Sequence, residues 1–145
     1  MYFEEFYVGQ AFPLEPVVVT KEDILAFARP FDPQRIHVDE SFAAKGPYGG
    51  LIASGYHTLS IVWSQWIKAD VLGDQSLGGL GLDRVVWSAP VRPGDQLSTT
   101  VAVARVRKSS NLVRGIVSFH FDVQNQDDVT VMVTDGAALV QRRSG

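Results

Sequence analysis

Leu51-Ile52-Ala53-Ser54-Gly55-Tyr56-His57-Thr58-Leu59-Ser60-Ile61-Val62-Trp63-Ser64-Gln65-Trp66-Ile67 is the stretch on which the fold turns. It closes the longest run without a formal charge, Gly46 to Ile67. Serines, a histidine, a threonine and a glutamine interrupt its apolar residues, so it falls short of a membrane span. Leu51, Ile52, Tyr56, Leu59, Ile61, Val62, Trp63, Trp66 and Ile67 place bulk nearly all round a helical wheel, as a helix enclosed by protein requires. The pattern predicts one long helix from about Leu51 to Val71, stopping before Gly73. At 1.5 Å per residue it spans about 30 Å, the width of a small domain.

Upstream, Val17-Val18-Val19 reads as a strand of β-branched residues. Thr20 with Asp23 three positions on marks a helix start. Ile24, Leu25, Phe27 and Ala28 form a short helix that Pro30 is expected to end by disfavouring the helical conformation at Arg29. From Pro30 to Gly50 the chain reads as irregular or weakly helical. Downstream, Leu82–Ser88 is a strand and Arg92-Pro93-Gly94-Asp95 a turn. Leu97–Val106, Leu112–Val123 and Val129–Val140 follow, separated by polar turns at Lys108–Asn111 and Gln124–Asp128. In the middle one, Val117, Phe119, Phe121 and Val123 alternate with Ile116, Ser118, His120 and Asp122, an antiparallel meander pattern. The fold class expected is therefore α+β: an antiparallel sheet of about five strands wrapped round one long central helix, in a single domain over residues 1–145.

Composition narrows the function. Asp and Glu total 16 against 13 Lys and Arg, so bulk charge does not favour nucleic acid. There is no cysteine, hence no thiolate nucleophile or sulfur-ligated zinc. His37, His57 and His120 alone do not fill a structural zinc site, and no metal is expected. The start MYFEEFYVGQ has no basic cluster, which with the lack of a membrane span points to a cytoplasmic protein.

Chemistry concentrates in two segments. In Phe31-Asp32-Pro33-Gln34-Arg35-Ile36-His37-Val38-Asp39, a carboxylate and an imidazole lie five apart on a Pro-interrupted loop. Such a pair can hold one water and deprotonate it. With eleven aspartates in 145 residues, chance pairs at that spacing are common. The other reading is a loop aspartate capping a turn beside a half-buried histidine. In the second segment, Ala53, Ser54 and Gly55 are small residues at the start of the buried helix. The unpaired first-turn amides and positive dipole end there would stabilise an oxygen gaining negative charge. Equally, the residues are small because the helix packs tightly on the sheet. His57 reads as a satisfied interior or interface histidine, His120 as part of a solvated or groove face, and Trp63 and Trp66 as core. Arg105, Arg107, Lys108 and Arg114 read as a solvated strand face, the other reading being contact with the phosphates of a nucleotide tail.

Taken together, the two segments resemble the MaoC-like family of (R)-specific enoyl-CoA hydratases and acyl dehydratases, which have the hot-dog fold. The family motif, approximately Asp-x-Asn-Pro-(Ile/Leu/Val)-His after Phe-Ala, is matched by Phe27-Ala28, Asp32, Ile36 and His37, with Val38-Asp39 also typical. Leu51-Ile52-Ala53-Ser54-Gly55 is similar to the family's helix start, and Pro90-Val91-Arg92-Pro93-Gly94-Asp95 to its Pro-Val-x-x-Gly-Asp turn. The likeness covers nearly the whole chain in order. Gln34 and Arg35 depart from the motif's Asn and Pro, and Trp63 stands near a serine common in the hydratases.

The resemblance implies a hydro-lyase that adds or removes water across a 2-enoyl thioester. Asp32 and His37 would be catalytic, and Gly55, with Ser54 and Ala53, would bind the thioester oxygen. Trp63, Phe31 and Tyr56 are expected to line an acyl pocket. It implies no cofactor, because CoA or an acyl-carrier pantetheine is part of the substrate, and a homodimer or larger homo-oligomer. A hot-dog thioesterase is one rival, but no Asp or Glu occurs between Glu40 and Asp70 to serve it. A non-catalytic acyl-thioester-binding subunit is another.

Overall fold

A computed structural model describes residues 1–143. Strands β1 (Ala11–Pro13), β2 (Val17–Val18), β3 (Ser76–Trp87), β4 (Gln96–Lys108), β5 (Arg114–Gln124) and β6 (Thr130–Gln141) form one sheet, against which helix α4 (Gly55–Lys68) packs. Three shorter helices precede it: α1 (Lys21–Phe31), α2 (Arg35–Val38) and α3 (Glu40–Ala44). The sheet runs β1-β4-β5-β6-β3, with β2 also on β4, and every pairing is antiparallel. The α+β architecture is as expected, with six strands where about five were predicted; the two shortest have three and two residues.

Alternation along β5 decides which face packs on the helix. Val117, Phe119, Phe121 and Val123 are buried, while Ile116, Ser118, His120 and Asp122 face outward. Trp66 of α4 meets Phe119 at 5.1 Å, Phe12 at 5.8 Å and Phe121 at 6.0 Å between ring centroids. Truncating an indole so buried typically costs about 3–5 kcal/mol. This aromatic knot fixes the helix against the sheet.

Several boundaries differ from expectation. Helix α4 runs Gly55–Lys68 rather than Leu51–Val71: Asp70, at φ +56°, breaks the helical run before Val71, and Leu51–Ser54 lie ahead of the helix with Ser54 as its N-cap. There the Ala53 amide donates to the Val91 carbonyl (2.8 Å) and the Ile52 amide to the Ile36 carbonyl (3.3 Å), so these groups are spent on neighbours outside the helix. Helix α1 runs through Pro30 to Phe31, since a proline in the last turn removes a single donor and the Asp32 amide still reaches the Ala28 carbonyl at 2.8 Å. Strand β3 begins at Ser76, six residues before the expected start. Gly78, Gly79 and Gly81 hide it from strand propensity, and register shifts interrupt its pairing with β6.

Nor is α4 enclosed all round within one chain. Tyr56, Ser60, Trp63 and Ile67, one stripe at helical spacing, are exposed. Of the twelve residues of β3, only Val85 is even partly buried. No described helix is long and apolar enough to cross a membrane.

Candidate active site

Local hydrogen bonds bring the two sequence segments together. Thr20 caps α1, accepting the Asp23 amide at 3.1 Å, and Asp32 lies just past that helix's end. Gly94 has φ +88° in the turn after Val91, where the Asp95 amide donates to the Arg92 carbonyl at 3.0 Å. That geometry suits glycine at the third turn position after proline. The turn presents the Val91 carbonyl that holds Ala53, and so sets the strand of residues before α4 beside the Asp32–His37 loop.

His37 is buried, and its Nδ1 lies 2.7 Å from the Ile52 carbonyl oxygen. A carbonyl only accepts, so Nδ1 donates, and Nε2 is left as the lone-pair nitrogen of the neutral ring. Nε2 faces Asp32 Oδ2 at 3.4 Å. Ser54 Oγ donates to the same Oδ2 at 2.7 Å, and Gln34 Nε2 donates to Oδ1 at 2.8 Å. Burial pushes the Asp32 carboxyl up, but the Ser54 and Gln34 hydrogen bonds, and the His37 ring whenever it carries a proton, outweigh it and hold it below the ordinary value. A carboxylate and the lone-pair nitrogen of an imidazole set side by side are an acceptor pair able to take a proton from a water.

His37, Ala53 and Gly55 share a cavity of about 250 Å³ with Tyr48, Thr58, Trp87 and Val91. The Gly55 amide, at the first position of α4, has no intrahelical acceptor. Trp87 is a site feature that the sequence reading missed. Its Nε1 donates to the Gly55 carbonyl at 3.0 Å, and a Cβ on Gly55 would overlap the indole. The signal was present only as an aromatic residue at the end of a strand. Gln34, noticed as a departure from a motif, turns out to support Asp32.

A second, apolar cavity of about 450 Å³ lies between α4 and strands β3, β5 and β6, and Trp63 lines it together with Trp66, Leu82 and Phe121. The expected positions of three residues need correcting. Phe31 is 74% exposed and Tyr56 61% exposed, and neither borders either cavity of the single chain. Phe31 ends α1 on its outer side against Phe27, and Tyr56 lies on the exposed stripe of α4, edge-on to Trp87. Ser54 is fully buried, and its hydroxyl is committed to Asp32 rather than presented to a ligand.

The remaining histidines stand apart from the pair. His57 is interior and stacks on Phe27 at 4.8 Å, and its Nδ1 has no hydrogen-bond partner among the described residues, so it is not a satisfied interior histidine within one chain. His120 Nδ1 meets Asp135 at 2.6 Å on the outer face of the sheet.

A family model described as "MaoC like domain" matches residues 5–125. The chain belongs to the MaoC-like family. Among relatives of this MaoC-like chain, the uncharacterized protein YdeM of Bacillus subtilis is 37% identical over 142 residues, covering 98% of this chain and all of YdeM. The 3-hydroxyacyl-thioester dehydratase Z of Mycobacterium tuberculosis is 34% identical over 120 residues, 81% of this chain and 78% of that protein. The crystal structure of a MaoC-like dehydratase from Rhodospirillum rubrum superposes with a TM-score of 0.92 at 33% identity, covering 100% of this chain and 99% of that one. The hot-dog fold of the MaoC-like dehydratases is thus the fold of this chain.

Proposed function

We propose that the protein is a hydro-lyase acting on an acyl thioester, interconverting a 2-enoyl and a 3-hydroxyacyl group. His37 Nε2 and Asp32 Oδ2, 3.4 Å apart, with His37 on the cavity that Gly55 also lines, carry this reading. A water bridging them gives up a proton to one of the pair as its oxygen bonds to C3. The pair returns a proton to C2, so one water is added in full. As electrons move onto the thioester oxygen, the free Gly55 amide and the positive end of α4 offset the charge, and one such donor is worth about 3 kcal/mol. The thioester is itself the electron sink, so the reading calls for no redox cofactor. CoA or a carrier pantetheine is the handle of the substrate.

The apolar cavity beside Trp63 offers room for the acyl tail. The exposed edge of β3 and the apolar stripe of α4 support a homodimer, since an unpaired strand edge is a template for pairing. Loss of the conjugated thioester absorbance of short and aromatic enoyl-CoAs tests the reading. Asp32→Asn and His37→Ala are each expected to lower turnover by about 10²–10⁴-fold while leaving the fold intact. Release of free thiol would indicate a thioesterase instead, and binding without turnover a non-catalytic subunit.

A further inference from the structure

One oxygen, Ser54 Oγ, serves two structures at once. It accepts the Tyr56 amide at 3.2 Å, capping α4, and donates its own proton to Asp32 Oδ2 at 2.7 Å. Ser54 has no exposed surface, so bulk solvent does not compete for either contact. Oδ2 is also the oxygen that faces His37. With Gln34 holding Oδ1, the carboxylate has one hydrogen-bond donor on each oxygen and little freedom to rotate.

From this geometry we infer that Ser54 is a positioning residue: its hydroxyl fixes the Asp32 oxygen that meets His37, keeps that oxygen in its proton-accepting state, and ties both to the first turn of α4. As a statement about catalysis the inference rests on the hydro-lyase reading; as a statement about Asp32 it does not. The charge-assisted bond is possible only while Oδ2 carries no proton of its own directed at Ser54. The lowered proton affinity of Asp32 is in keeping with it. His37, from α2, is the titratable group that the structure sets against this carboxylate among the described residues; Gln34 and Ser54 are neutral.

Two substitutions separate this role from simple capping. Ser54→Ala and Ser54→Gly both delete the hydroxyl, but glycine at an N-cap costs the helix far less than alanine. The measurement is the carboxyl ¹³C titration of aspartate-labelled protein, with the Asp32 signal identified by its loss in Asp32→Asn. Both variants are expected to protonate Asp32 at about tenfold lower proton concentration than the parent, and the acid limb of kcat/KM is expected to move with it. The two variants should differ in melting temperature and agree in titration. An Asp32 titration that is unchanged, or a change that follows melting temperature, would overturn the inference. A parent protein inactive on every enoyl thioester would overturn the hydro-lyase reading, while the titration would still decide the role of Ser54.

Discussion

The indole of Trp87 rests on Gly55, donating to its carbonyl and occupying the space a side chain there would need. The first turn of α4 and the end of β3 are therefore joined by a contact that admits only glycine at position 55. Gly55→Ala forces the ring outward, and overpacking of this kind costs about 1–3 kcal/mol. Thermal denaturation should show a loss of several degrees. The double variant Gly55→Ala/Trp87→Ala should lose less than the sum of the two single changes, because the overlap is gone.

His57 sets a second expectation. Burial lowers its proton affinity, the charge of Asp23 on α1 only partly offsets this, and its ring stacks on Phe27. A histidine whose folded-state pKa lies below its unfolded one stabilises the fold fully above the unfolded value. Stability is then lost as pH falls from that value toward the folded one, by up to about 1.4 kcal/mol per pH unit. His57→Phe keeps an aromatic ring on Phe27 and removes the titration. Urea denaturation at pH 7.5 and pH 5 should show a smaller acid loss in the variant than in the parent.

Trp63 borders the apolar cavity proposed for the acyl tail. Trp63→Ala enlarges that space and should favour longer enoyl thioesters over short ones. Each methylene newly buried is worth about 0.8 kcal/mol, a preference of roughly fourfold per carbon in kcat/KM. An unchanged chain-length profile would place the tail elsewhere.

The edge of β3 predicts association. Leu80 and Leu82 are 53% and 45% exposed on a strand with no neighbour on its outer side among the described residues. Leu80→Lys/Leu82→Lys charges that strand, and sedimentation equilibrium should show the mass falling from dimer to monomer.

Much of this was legible in the residues, for identifiable reasons. The period-2 pattern of β5 survives because its two faces meet opposite surroundings, core and solvent. The Arg92–Asp95 turn was readable because proline and glycine leave few alternatives. Strand β3 was half hidden, since its glycines and its exposure on both faces erase the alternation on which strand reading depends. At the site, the Asp32–His37 pair could be named but not its supports. The Ile52 carbonyl and the Trp87 indole reach it from 15 residues away from His37 and 32 from Gly55, through contacts that no local spacing encodes. Tyr56 and Phe31, expected in an acyl pocket from the resemblance, are exposed, because nearness in sequence to site residues does not fix which way a side chain faces.

The glycine-rich half of β3 also bears on how the protein is made. A ribbon open along its outer edge and over both surfaces is a hazard for a newly synthesised chain, which must find its cover before a wrong neighbour does. Refolding yield should accordingly pass through an optimum in protein concentration, falling at high dilution for want of encounters and at crowding for want of selectivity.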